Sequence, residues 1–242
     1  MARAEPAKPS IRALTFDVFG TVVDWRSGII REAEAIGRSR GISRDWAKFA
    51  DAWRALYNPS MDRVRRGELP WKPLDELHRT ALEQILPEFG IEGLSEAEID
   101  HLNRAWHRLD PWPDAIGGLS RLRRGHILAT LSNGNVALLV NMAKRAGLPW
   151  DAILGAEVAR HYKPDPEAYL RTAALLGLRP DECMMVAAHN RDLLAAGTLG
   201  FRTAFVPRPT EYGPNQTADL APEHGYDILA RDLSDLADQL GC

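Results

Sequence analysis

The run Ile11–Phe16 is apolar and rich in strand formers, and it ends on a lone carboxylate, Asp17. Phe19-Gly20-Thr21 follows, a glycine that allows a tight turn and then a hydroxyl. A buried strand that stops at an acid and a glycine turn places the acid on the carboxyl edge of a sheet, where open α/β sheets bind ligands. Alone, Asp17 is better explained as a turn or cap residue. Three later segments repeat the arrangement of strand and polar end, and the repetition favours a ligand site. They are Thr130-Leu131-Ser132-Asn133-Gly134, His161-Tyr162-Lys163-Pro164-Asp165-Pro166, and Met184 through His189-Asn190-Arg191-Asp192.

Trp25 to Leu109 has a different pattern. Ala47, Phe49, Ala50, Trp53 and Leu56, then Leu77, Ala81, Leu82, Ile85 and Leu86, fall at helical spacing. Breakers at Asn58-Pro59, Gly67, Pro70, Pro73, Pro87, Gly90 and Gly93 separate the helices. Ser95 and Glu98 make a capping box that opens a helix expected to run through Trp106. Asp110-Pro111-Trp112-Pro113-Asp114 reads as a linker and helix start.

Beyond it, strands expected at Ile127–Leu131, Ile153–Ala156, Cys183–Ala187, Arg202–Val206 and Tyr226–Ala230 alternate with helices. Those helices are Ala115–Arg124, Ala137–Ala146, Pro166–Leu176, Leu193–Leu199 and Ser234–Leu240. Such alternation predicts an α/β fold, a Rossmann-like parallel sheet with helices on both faces. Its core would be 11–24 with 110–242. Residues 25–109 would be an inserted helical cap above the carboxyl edge.

At 242 residues and 45 % hydrophobic, the chain is long enough for one large domain or a core with an inserted second one. The net charge of −3 comes from interspersed acids and bases, which points away from nucleic-acid and membrane surfaces. Cys183 and Cys242 form no disulfide framework, and a reducing cytoplasm is the expected compartment. Met1–Ser10 reads as a disordered tail without the apolar centre of a signal peptide. No run is long and apolar enough to span a bilayer.

Ser-Asn-Gly is a common loop sequence and most lysines are solvated, so each segment is weak alone. Asp-x-x-Gly-Thr, Ser-Asn-Gly and Lys-Pro-Asp, in this order and with a helical insert after the first acid, resemble the haloacid dehalogenase superfamily over nearly the whole chain. Its phosphatases carry Asp-x-Asp-x-Thr, the second Asp protonating the leaving alcohol, and an acid five residues before the last Asp that helps hold Mg²⁺. Here those positions are Phe19 and Ala187. A general acid and a metal ligand are both missing, and the departures match the type II L-2-haloacid dehalogenases.

That resemblance implies a hydrolase that needs no metal and no cofactor, acts on short 2-haloacids, and often forms a dimer. Asp17 would displace halide, giving an ester that water hydrolyses. Thr21 would support Asp17. Ser132 and Lys163 would bind the substrate carboxylate, with Asn133 beside the halide and Phe19 as the aromatic two positions after the nucleophile. Tyr169 matches the family's tyrosine or packs its helix. Asp192 would orient Lys163 or the hydrolytic water, or cap a helix. Arg54, in the dipeptide Trp53-Arg54, is the candidate halide-binding arginine.

The fourth segment departs from well-known dehalogenases at Ala187, His189 and Arg191, where they have serine, asparagine and tryptophan. Asn190 is the candidate replacement for the serine in placing water, and Arg191 has a plain alternative as a solvated residue. A hydrogen bond from His189 to a halide suggests activity on fluoroacetate. The rivals are a Mg²⁺-dependent phosphatase, which Phe19 and Ala187 oppose, and a non-catalytic binding protein. A nucleotide-binding Rossmann domain lacks its Gly-x-Gly-x-x-Gly loop here.

Overall fold

The structure, a computed structural model, describes residues 10–242. The expected tail therefore lies outside the described residues except for Ser10. The elements in order are β1 (Ala13–Phe16), β2 (Val23–Asp24), α1 (Trp25–Arg40), α2 (Trp46–Ala55), α3 (Tyr57–Arg65), α4 (Leu74–Glu88), α5 (Glu96–Asn103), β3 (Asp110–Pro111), α6 (Ala115–Leu122), β4 (Ile127–Ser132) and α7 (Val136–Ala146). Then follow β5 (Ala152–Gly155), α8 (Ala156–Ala159), α9 (Pro166–Leu175), β6 (Cys183–Ala187), α10 (Asn190–Thr198), β7 (Arg202–Phe205), β8 (Ile228–Leu229) and α11 (Leu233–Gln239).

Six strands form one parallel sheet in the order β5-β4-β1-β6-β7-β8. β1 lies between β4 and β6, with Ala13 opposite both Ile127 and Cys183. All four β1 residues are fully buried, as a central strand covered on both faces requires. Leu14 and Phe16 belong to a core shared with Leu119, Leu138, Met142 and Leu236, from α6, α7 and α11. Ala13 belongs to a second core with Ala168, Tyr169, Leu193 and Ala196, from α9 and α10. The chain thus has helices on both faces of its sheet, as the alternating pattern predicts.

Between β2 and β3 every element is helical, and that antiparallel pair, Val23 opposite Pro111, brackets the helical stretch. Two residues a side are too few for a sequence pattern, and Asp110–Pro111 read only as a linker. The Ser95–Glu98 capping box is present, and the helix it opens ends at Asn103, tightening to a 3-10 turn over Arg104–Arg108.

Two further boundaries differ from expectation. α10 begins at Asn190, three residues early, so Asp192 lies inside the first turn and His189 is the N-cap residue. The last strand shrinks from Tyr226–Ala230 to Ile228–Leu229 because the residues before it are used otherwise. The Asp227 carboxylate accepts the Thr203 N–H at 2.9 Å, and the Tyr226 hydroxyl donates to Asn190 Oδ1 at 2.8 Å. Among the described residues no helix is long and apolar enough to cross a membrane.

Candidate active site

The ends of β1, β4 and β6 converge where the strand order reverses, the usual place for a ligand crevice in such sheets. A cleft of about 210 Å³ opens there, below the ≈ 300–1,000 Å³ of drug-sized pockets, so it suits a small ligand. Asp17, Asn133, Lys163, Tyr169, His189 and Asp192 line it from the core, and Arg54, Tyr57, Asn58 and Arg65 from the helical insertion.

Asp17 follows directly from β1 and is buried. The Thr21 hydroxyl donates to its Oδ2 at 2.8 Å and itself accepts the Ala188 N–H at 2.9 Å. Lys163 Nζ donates to Asp17 Oδ1 at 2.9 Å and also bonds Asp192 Oδ2. Asp192 Oδ1 accepts the Tyr169 hydroxyl at 2.5 Å. Burial alone would raise the Asp17 carboxyl, but the Lys163 ammonium and His189 outweigh it and hold the group well below the ordinary carboxylate range. Burial instead prevails at Asp192, which is raised. Lys163 stays charged, since its two carboxylates more than offset its burial. One ammonium thus serves two carboxylates whose environments push them apart, Asp17 down and Asp192 up.

His189 stands between two more carboxylates. Its Nδ1 is 3.0 Å from Asp17 Oδ2, and its Nε2 is 2.9 and 3.1 Å from the two oxygens of Glu211. Burial opposes a charge on the ring, yet Glu211 and Asp17 lift its pKa well above the ordinary value and keep it protonated. Both ring nitrogens are taken. His189 is therefore not free to donate to a halide, which corrects the role expected from its position in the sequence.

Nothing in the sequence marks Glu211 as a site residue. It is buried in the irregular stretch after β7, where no periodicity marks it, and it also accepts the Trp25 indole N–H at 2.9 Å. Gly20 makes room for it. A Cβ at Gly20 would lie 2.1 Å from Glu211 Oε1, and its φ of +85° is itself unfavourable for other residues. Gly20→Ala is expected to drive the carboxylate off His189 and to cost about 1–2 kcal/mol in backbone strain. A thermal melt and the pH dependence of turnover check this, and an unchanged profile would contradict it.

Arg54 comes from α2, as its dipeptide suggested. Its guanidinium carbon lies 4.0 Å from the centre of the Tyr57 ring and 5.2 Å from that of Trp25, and its Nη1 is buried without a hydrogen-bond partner. Phe19, 2 % exposed, packs edge-on to Tyr57 and Trp106 at the inner wall. The Asn133 side chain accepts the Lys163 backbone N–H at 2.8 Å, which ties two site loops together. Arg65, another residue not foreseen, donates to the Lys163 carbonyl at 2.5 Å.

Three candidates fall outside the lining of the cleft: Thr21, which acts through its bond to Asp17, and Ser132 and Asn190. The Ser132 hydroxyl is fully buried and accepts the Gly134 N–H at 3.1 Å, so it shapes its own turn. Asn190 is spent on the late loop: its amide donates to Asp219 and to the Ala221 carbonyl, and its oxygen accepts from Glu223 N–H and Tyr226. It anchors the loop that carries Glu211 and has no group left to place water. Nor is Asp192 a helix cap, since its carboxylate is occupied by Lys163 and Tyr169.

A family model described as haloacid dehalogenase-like hydrolase matches residues 11–200. The (S)-2-haloacid dehalogenase 4A of Burkholderia cepacia is 33 % identical over 213 residues, 84 % of this chain and 87 % of its own. The crystal structure of a defluorinating L-2-haloacid dehalogenase superposes with a TM-score of 0.94 at 51 % identity, covering 96 % of each chain. That of another L-2-haloacid dehalogenase gives 0.93 at 50 % identity, covering 96 % of this chain and 99 % of its own. The chain belongs to the haloacid dehalogenase-like hydrolases and, within them, to the L-2-haloacid dehalogenases.

Proposed function

We propose that this protein hydrolyses the carbon–halogen bond of short 2-haloacids by a covalent route through Asp17. The observation that carries the reading is the state of Asp17: a buried carboxylate at a strand end, kept ionised by Lys163 and His189. In the first step an Asp17 oxygen attacks the halogen-bearing carbon from the rear. A carbon–oxygen bond forms, the carbon–halogen bond breaks, and halide leaves with the bonding pair. Arg54 receives the halide with its free Nη1, and Asn133 lines the same cleft. Two of the three Lys163 donors are on Asp17 and Asp192, so one remains for the substrate carboxylate.

The second step needs a base, and ester formation supplies one. Once Asp17 is a neutral ester, only Glu211, at Nε2, still favours the charged ring, and the imidazolium can give up its Nδ1 proton to solvent. Its Nδ1 then takes a proton from water as that water attacks the Asp17 carboxyl carbon. The bond from that carbon to the ester oxygen breaks, the second proton of the water passes to the departing oxygen, the 2-hydroxyacid leaves carrying an Asp17 oxygen, and the carboxylate returns.

The cation between Asp17 and Asp192 in this site is the Lys163 ammonium. Among the described residues no group of three or more His, Cys, Asp and Glu side chains is arranged to hold a metal ion. The placement of Lys163 between the two carboxylates supports a metal-independent reaction, and Phe19 and Ala187 count against the phosphatase reading. Fluoroacetate is included among the substrates, on the strength of the defluorinating relative at 51 % identity. The division into a core, 11–24 with 110–242, and a cap, 25–109, belongs to the same reading, with Arg54, Tyr57 and Arg65 as the cap's share of the site.

Halide release from chloroacetate, 2-chloropropionate and fluoroacetate, with and without EDTA, tests this function. Release that EDTA leaves unchanged is expected. No halide release, with Mg²⁺-dependent phosphate release from p-nitrophenyl phosphate, would overturn it.

A further inference from the structure

A second polar cluster, outside the cleft, joins the helical insertion to the loop behind Asn133. Asp75 stands in the first turn of α4. Its carboxylate oxygens lie 3.0 and 3.1 Å from His107 Nε2, and Oδ2 accepts the Asn135 side-chain amide at 2.8 Å. The Asp75 backbone N–H donates back to Asn135 Oδ1 at 3.3 Å. On the other edge of the His107 ring, Nδ1 is 3.0 Å from Asn141 Nδ2, on α7. Asn103 Nδ2 donates to the Asp75 carbonyl at 3.1 Å. One neutral tautomer of His107, with its proton on Nε2, satisfies the whole set.

Asn135 is the residue that makes this more than packing. It is the N-cap of α7, a position where an asparagine side chain normally accepts a helix N–H. Here it caps nothing, and the Val136 N–H goes to Glu157 instead, at 2.6 Å. The Asn135 amide is committed to Asp75.

The two ends of the cluster lead to the two walls of the cleft. One turn beyond Asp75 is His78, buried against Tyr57 and Phe19 with ring centres 5.9 and 6.5 Å away. Two residues before Asn135 is Asn133, whose side chain holds the Lys163 backbone.

We propose that Asp75, with Asn135, His107 and Asn141, is a latch that sets α4, and through His78 the Tyr57–Arg54 wall of the cleft, against the Asn133 loop and so fixes the distance between Arg54 and Asp17. Asp75 is a positioning residue, acting through Asn135 and His107 and touching no substrate. The effect on catalysis rests on the function proposed above; the latch itself does not.

Two readouts separate them. Hydrogen exchange by mass spectrometry is expected to show faster exchange in the peptide containing Asn133–Val136 for Asp75→Ala, with the β1 peptide unchanged. For chloroacetate, kcat/KM is expected to fall about tenfold in Asp75→Ala and in Asn135→Ala, and no further in the double variant. The milder Asp75→Asn repeats both measurements should Asp75→Ala fail to fold.

Unchanged exchange at 133–136 in a folded variant would overturn the latch whatever the substrate is. Faster exchange with kcat/KM unchanged in an active enzyme would overturn its role in positioning, as would strictly additive losses. A wild type that releases no halide would sink the proposed function alone, and the exchange result would still decide the latch.

Discussion

Asp17→Asn is expected to abolish halide release, by about 10⁴-fold or more, while leaving a folded protein. The amide has nearly the volume of the carboxylate but lacks the charged oxygen that attacks carbon. Lys163 keeps Asp192 and His189 keeps Glu211, so neither buried cation is left alone. A halide assay beside a thermal melt checks both halves, and halide release near the wild-type rate would contradict the role of Asp17. The same pairing has a consequence for acid stability. The Asp17 carboxyl is held below its ordinary value of 3.8, so its contribution is full above that pH and is lost as pH falls toward the lowered value. Acid loss of activity in the folded enzyme is then assigned to the site groups whose values are raised, His189 and Asp192.

His189→Ala is expected to separate the two chemical steps. Attack by Asp17 needs no proton transfer, so halide should appear as a burst of about one equivalent per active site. Hydrolysis then lacks its base, and steady turnover should fall about 10²–10⁴-fold. The ester would accumulate, visible as an enzyme heavier by one carboxyalkyl group. In the wild type, kcat should decline as pH falls, because His189 in the ester must shed the proton that Glu211 still favours, and this limb should vanish in the variant. Unchanged turnover would remove His189 as the base. Fluoroacetate adds a distinction: a burst lost with fluoroacetate but kept with chloroacetate would restore the halide-donor role that the ring's two carboxylate partners argue against.

The core of the site was legible in the sequence because strand ends are. Asp17 and Asp192 each come after an apolar run, Lys163 stands just ahead of a proline-rigidified turn, and three of the four polar segments end a strand of the same sheet. Whether a side chain at such an edge faces the cleft or its own loop is not set by strand alternation, since the strand has already ended. Asn190 is such a case, its polar groups being consumed by the Asp219–Tyr226 loop; Ser132 ends β4 itself, and its hydroxyl accepts from Gly134 while keeping its own proton to donate. His189 was rightly placed and wrongly paired, because its second partner lies 22 residues later in a stretch without periodicity. The only local trace of Glu211 is Gly20, whose missing side chain makes room for it. Tyr57 and Arg65 come from the helical insertion, where helical periodicity gives the helices but not the face each turns to the core.

The central claim, that the carbon of the substrate is held as an ester on Asp17, is tested most directly by one turnover in H₂¹⁸O with enzyme in excess over chloroacetate or 2-chloropropionate. Water is expected to attack the Asp17 carboxyl carbon, so the hydroxyacid should carry unlabelled oxygen and the label should appear in the peptide containing Asp17. Label found in the hydroxyacid, with none on Asp17, would mean that water attacks the substrate itself, and the covalent route would be contradicted.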